Sequence, residues 1–264
     1  MPKVNAKPLY EGTFSVGIDK KFRRIDRDDP PHKGTLKLSV NPFLIQDEEK
    51  VILFDVGLGD LLGENTSINT ILENLENEGI EDFEITDIFA SHLHFDHIGG
   101  LANRNNGYWE LTFPDANIWV SKSGWKKLGE SLEKVSDDEK DFYNFIDAHA
   151  DLCFLNDDEE SRVGHVRIKK IGGHTEFHQA LFYENGEDRY IMAGDVLGRR
   201  SAVNRSFEAK FDFDPKQSSK VRNDLQKLAY EEGYAIMTYH ESDHPMFKLT
   251  DYDEKKGYKI ENIS

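Results

Sequence analysis

Seven of the ten histidines in this chain fall into three short segments: His92, His94 and His97; His174 and His178; His240 and His244. Each segment follows a run that reads as a buried strand, at 85–91, 165–171 and 235–239. A strand end is where a rigid scaffold hands side chains to a site. The fold must therefore be built on strands whose ends carry imidazoles.

The 264 residues suit one large domain or two small ones. With no Gly/Ser-rich or Pro-rich linker and no repeat at a solenoid period, a single domain over 1–264 is expected. The net charge of −17 excludes a nucleic-acid partner, because binding there is driven by Lys and Arg displacing counterions. No apolar run approaches the ~20 residues that span a bilayer. The first dozen residues are polar and lack the apolar stretch of a secretory signal. Cys153 is the lone cysteine, so no internal disulfide forms, which fits a reducing cytoplasm. These features leave a small molecule as the expected partner, with neither nucleic acid nor membrane.

Runs at 12–18, 36–45, 51–54, 85–91 and 118–121 read as strands, with a helix between 68 and 78 from Ile68, Ile71, Leu72 and Leu75 at helical spacing. Ser136-Asp137-Asp138-Glu139 is a capping box that starts a helix toward Ala150. Strands are expected again at 165–171, 179–184 and 189–193. Asp214-Pro215-Lys216-Gln217 starts a helix reaching about Glu231, and 235–239 reads as the last buried strand. The order is mixed α/β with two β-rich halves. Sheets facing inward with helices outside would bury these runs.

The first histidine segment reads Ser91-His92-Leu93-His94-Phe95-Asp96-His97, followed by Ile98-Gly99-Gly100. In extended chain His92, His94 and Asp96 share one face. A turn after His94, which the glycines permit, points Asp96 and His97 back across the same cavity. The interleaved Leu93, Phe95 and Ile98 argue against a plain surface loop. Three imidazoles and a carboxylate suit Zn, Fe or Mn. The later pieces are weaker alone: His174 after two glycines, Asp195 in Ala193-Gly194-Asp195, and His240 after an apolar strand. Together His92, His94, Asp96, His97, His174, Asp195 and His240 make seven candidate ligands. One metal takes about three or four protein ligands, so seven suggest two metals ~3.5–4 Å apart sharing one carboxylate.

These elements, in this order, resemble the metallo-β-lactamase fold superfamily from about Gly12 to His244. The resemblance implies an αββα sandwich with a dinuclear centre, Zn first and Mn or Fe as alternatives. It implies that His92, His94 and His174 hold one metal, that Asp96, His97 and His240 hold the other, and that Asp195 bridges them. Asp55, in Phe54-Asp55-Val56-Gly57, matches the family's Asp-Gly turn, where it would orient ligands by hydrogen bonds. The implied activity is hydrolysis by a bridging hydroxide, with Asp96 as the catalytic proton carrier, opening a lactone or cleaving an ester. The stretch 99–125 and the Phe211-Asp212-Phe213-Asp214-Pro215 segment are similar to the lactonase-like branch, that of the acyl-homoserine lactonases. One departure stands out: some lactonases carry a carbonyl-polarising tyrosine three residues after the bridging aspartate, and here that position is Gly198. A glyoxalase II-like thioesterase or a phosphodiesterase of the same fold is the alternative, and a non-catalytic metal-binding protein is a third. The aromatics at 108–125 read first as core, or else as an acyl pocket.

Overall fold

The computed structural model describes residues 4–64, 66–158 and 160–263. The chain divides into two compact units, Met1–Phe154 and Leu155–Ser264. All statements of number or absence below refer to the described residues.

The first unit is built on a six-stranded sheet in the order Asn5–Pro8, Phe43–Gln46, Val51–Phe54, Asp87–Phe89, Asn117–Ser121 and Leu152–Leu155. Val51–Phe54 and Asp87–Phe89 run parallel, with Phe54 opposite Phe89. A parallel pair needs a crossover, and the helix Asn69–Asn77 lies in it, burying Ile71 and Leu75. The helix Asp137–His149 begins at the expected capping box, with Ser136 accepting from the Glu139 N–H. It buries Phe142 and Ile146 in the same core as Leu53, Ile88 and Trp125. Three aromatics of the 108–125 stretch pack in the protein: Trp109 is edge-on to Phe142, Trp119 stacks on Phe89 and Trp125 stacks on Tyr143.

One strand expected from sequence is two. Leu36–Val40 joins a four-stranded sheet with Gly12–Val16, Phe22–Ile25 and Gly63–Glu64, whereas Phe43–Gln46 belongs to the six-stranded sheet. The break falls at Asn41-Pro42. Proline has no N–H to continue a ladder, and its carbonyl instead accepts from Leu9.

The second unit is a seven-stranded sheet: Ser161–Val163, Val166–Lys170, Gln179–Asn185, Asp188–Met192, Ala235–Met237, Met246–Asp253 and Gly257–Asn262. Only Asp188–Met192 and Ala235–Met237 pair in parallel. The helix Pro215–Glu232 makes their crossover. Asp214 caps it by accepting from Gln217, Pro215 opens it and the left-handed Gly233 ends it. Leu225 and Ala229 pack it onto Phe182, Ile236 and Phe247. The strand read as last is followed by a hairpin. Met246, Phe247 and Leu249 are buried while the second half of their strand is exposed, so its apolar signal covers too few residues to stand out. No helix is long and apolar enough to cross a membrane.

Candidate functional site

In the first unit, parallel pairing decides which residues meet. Val51–Phe54 and Asp87–Phe89 end at the same sheet edge, so the residues that follow each strand are neighbours. The Asp55 N–H donates to the Phe89 carbonyl at 3.0 Å, which leaves the Asp55 side chain facing the segment that begins at Ser91. Asp55 is buried and takes the left-handed backbone conformation, φ 56°. Its Oδ1 accepts from the Ser91 N–H at 2.7 Å, and its Oδ2 accepts from Ser91 Oγ at 2.7 Å and from His97 Nδ1 at 2.6 Å.

These bonds set the tautomers. His97 spends its Nδ1 proton on Asp55, so a neutral ring presents its Nε2 lone pair. Ser91 Oγ has given its one proton to Asp55, so it accepts from His92 Nδ1 at 3.1 Å, and His92 also presents Nε2. That nitrogen lies 3.0 Å from His94 Nδ1. His94 is the exposed N-cap of the short helix Phe95–Ile98, in whose first turn Asp96 and His97 are buried. Asp96 Oδ2 stands 3.7 Å from His97 Nε2. The Asp55 carboxylate thus orients one candidate ligand directly and a second through a serine hydroxyl. Such partners fix a ligand's ring and raise its basicity.

Two tertiary contacts hold this loop. A Cβ on Gly99 would lie 2.2 Å from the Leu58 carbonyl oxygen, so only glycine lets the histidine helix sit on the 55–59 turn. The buried Glu11 accepts from the Leu58 and Gly59 N–H groups at 2.8 and 3.0 Å. Burial raises its carboxyl to about 8, against the lowering by those two N–H donors and by Arg24. Glu11 carries no sequence signal, because a single acid beside a strand is an ordinary occurrence.

In the second unit the parallel pair again works as a register device. Met192 faces Met237; Asp195 and His240 each follow their strand by three residues. The His240 N–H donates to the Gly198 carbonyl at 2.8 Å. Asp195 Oδ1 stands 3.0 Å from His240 Nε2, and Asp195 Oδ2 stands 3.2 Å from His174 Nε2. One carboxylate therefore offers one oxygen to each of two imidazoles. His174 Nδ1 donates to the buried Asp212 at 2.8 Å. Asp212 was legible only as part of a segment similar to lactonases, and its contact with His174 comes from folding. His178 acts structurally: its Nε2 donates to the Ala193 carbonyl at 2.9 Å, and its own carbonyl accepts from Ile171 and Gly172. His244 is exposed in a left-handed turn, and Tyr239 is buried in T-shaped contact with the His240 ring.

The donor sets fit a divalent cation. With its Nδ1 proton committed to Asp212, a neutral His174 turns a lone pair toward an oxygen of Asp195. His97, committed to Asp55, does the same toward Asp96. Acceptor facing acceptor is repulsive unless a cation lies between them, and imidazole with carboxylate suits borderline transition metals.

The sequence profile of the Metallo-beta-lactamase superfamily matches residues 36–240, well over half of the chain. The chain belongs to the metallo-beta-lactamase superfamily. Similar by sequence is an N-acyl homoserine lactonase of Bacillus thuringiensis, 25% identical over 224 residues, 78% of this chain and 82% of the relative. Similar in structure is a probable metal-dependent hydrolase from Staphylococcus aureus, with a TM-score of 0.77 at 17% identity over 98% of this chain and 97% of that one. So is AidC, a dizinc quorum-quenching lactonase in complex with the product N-hexanoyl-L-homoserine, with a TM-score of 0.72 at 21% identity over 100% and 96% of the two chains. The structural likenesses establish the fold, which is the α/β metallo-β-lactamase class that the sequence led us to expect. The chain is a hydrolase of this superfamily and lactonase-like in its relationships.

Proposed function

We propose that the chain is a dinuclear metal-dependent hydrolase that opens a lactone or cleaves a related ester. His92, His94 and His174 hold one divalent ion, Asp96, His97 and His240 hold a second, and Asp195 takes part in both. The observation that carries this reading is the Asp195 carboxylate, whose two oxygens address His174 and His240 separately at 3.2 and 3.0 Å. Superfamily membership and the lactonase relatives support it. The reading takes residues 1–264 as one functional domain, although the chain divides into two compact units. Zn is the ion proposed first, with Mn or Fe as alternatives that the same donors tolerate. A cytoplasmic location goes with the single cysteine, Cys153.

The paired ions, when bound, would polarise the substrate carbonyl and lower the pKa of a water toward neutrality. The protein's own groups do the rest. Asp55 and Asp212 hold His97 and His174 in their tautomers. Asp96 accepts the proton released as water adds to the carbonyl carbon. It returns that proton to the ring oxygen as the acyl C–O bond breaks, leaving a hydroxy acid. No serine or cysteine nucleophile takes part.

The test is a panel of lactones, simple esters, acyl-glutathione thioesters and phosphodiesters, assayed with metal-reconstituted protein and with His94→Ala. Lactone or ester turnover that is lost on chelation, regained with Zn or Mn and abolished in His94→Ala is expected. Turnover untouched by that substitution sinks the proposal. Faster thioester or phosphodiester hydrolysis moves the assignment to the other branch, and a single bound ion with no hydrolysis supports a binding protein.

A further inference from the structure

Three of the ten exposed large apolar side chains of the described residues crowd into one seven-residue stretch: Phe207, Phe211 and Phe213. Phe211 is 68% exposed and Phe213 61%. Between them Asp212 turns inward to His174. Exposed aromatics this dense demand a reason, because scattered single ones are the ordinary case on a soluble surface.

The stretch is held firmly. At one end the buried Arg222 lies over the Phe207 ring at 3.9 Å and donates to the Phe207 carbonyl at 3.1 Å and, through Nε, to Val196 at 2.8 Å. At the other end the Phe213 N–H donates to the His174 carbonyl and the Asp214 N–H to that of Gly173, at 3.1 and 2.8 Å. The segment is a turn, closed by the Asp212 N–H donating to the Ala209 carbonyl at 3.1 Å; it turns Asp212 to the candidate ligand and leaves the rings of Phe211 and Phe213 exposed. The Phe211 ring nonetheless stays edge-on to the His174 ring, with 6.1 Å between centroids. A rigid apolar ledge thus adjoins a candidate metal ligand.

We propose that Phe211 and Phe213 determine specificity by packing against an apolar substituent of the substrate close to its scissile carbonyl. The inference rests on the hydrolase reading above and narrows it: the preferred substrates carry a hydrocarbon group, aliphatic or aromatic, and small polar lactones or esters are poor ones. Ring position decides the role. A phenyl beside His174 meets the part of the substrate flanking the reacting bond, and its exposure leaves its face free to desolvate hydrocarbon.

The experiment measures kcat and KM over lactones or esters with straight acyl chains of increasing length, and over one aromatic ester, in wild type, Phe211→Ala, Phe213→Ala, Phe211→Leu and the remote Phe83→Ala. In wild type, kcat/KM should climb with apolar size. The alanine variants should flatten the climb, with a loss of roughly tenfold on the longest chain, mostly in KM. Phe211→Leu should restore most of the gradient, and Phe83→Ala should keep the wild-type one. A preference for the aromatic ester over chains of equal size points to ring stacking, and the reverse points to an acyl chain. Calorimetric binding of hydroxy-acid products of the same chain lengths gives a second readout that needs no turnover. Affinity rising with length in wild type and flat in the alanine variants supports the ledge. Gradients unchanged in both alanine variants overturn it. Absence of all turnover counts against the hydrolase reading alone, because the binding series still decides the ledge.

Discussion

Two buried carboxylates carry the sharpest expectations for single residues. Asp212 accepts from His174 Nδ1, so Asp212→Asn removes the charge that fixes the ring's tautomer while keeping the side chain's size. Losing such a partner costs about 10–100-fold in metal affinity. We expect weaker binding in a chelator competition with little change in the far-ultraviolet spectrum; equal affinity would show that Asp212 does not orient the ring. Glu11 makes a different prediction. The folded chain keeps the Glu11 proton up to about 8, whereas an ordinary glutamate loses it at 4.5. Between those values the folded state binds more protons, so stability falls as pH rises through the window. Glu11→Gln should flatten the slope, read as the urea midpoint across the window. It should also cost about 1 kcal/mol, because one of the Leu58 and Gly59 N–H groups loses its acceptor. An unchanged slope would mean that burial does not hold this proton.

At the scale of elements, each unit delivers candidate ligands from the ends of a parallel strand pair, with His174 instead following the antiparallel strand Val166–Lys170, and the turn beyond the first pair is close-packed. The helix Phe95–Ile98 is too short to hold its own shape. It is set by the 55–59 turn, through the Val56 N–H donating to the His97 carbonyl at 2.8 Å and the Gly100 N–H to that of Gly57 at 3.2 Å. Gly99→Ala pushes a methyl group into the Leu58 carbonyl. Such overpacking costs about 1–3 kcal/mol and displaces Asp96 and His97 together. The expected result is a lower melting temperature together with reduced metal content. Wild-type metal binding in Gly99→Ala would show that the turn does not set the ligands.

For the whole molecule, removal of the proposed ions should lower stability, because a ligand that binds only the folded state stabilises it. At a hundredfold excess over Kd each ion contributes about 2.7 kcal/mol of stability. For a chain of this size, losing both should lower the melting temperature by on the order of 10 °C. Calorimetry with and without chelator checks this, and a single transition in the metal-loaded protein is expected. Two separate transitions, or no shift on chelation, would count against one shared domain.

Much of this is legible in the sequence. The Ser136 capping box, the Asp214-Pro215 helix start and the runs ahead of His92, His174 and His240 are local signals. Sequence order alone put imidazoles and carboxylates after strands, because capping, periodicity and strand length are properties of neighbouring residues. It did not separate Leu36–Val40 from Phe43–Gln46, find Glu11 under the 55–59 turn, or tell that Asp212 faces His174 while Phe211 and Phe213 face out. Those outcomes depend on which strands pair, in which register, and on which backbones approach closely enough to exclude a methyl group. Such contacts join residues tens of positions apart, and only the folded chain brings them within reach of a hydrogen bond.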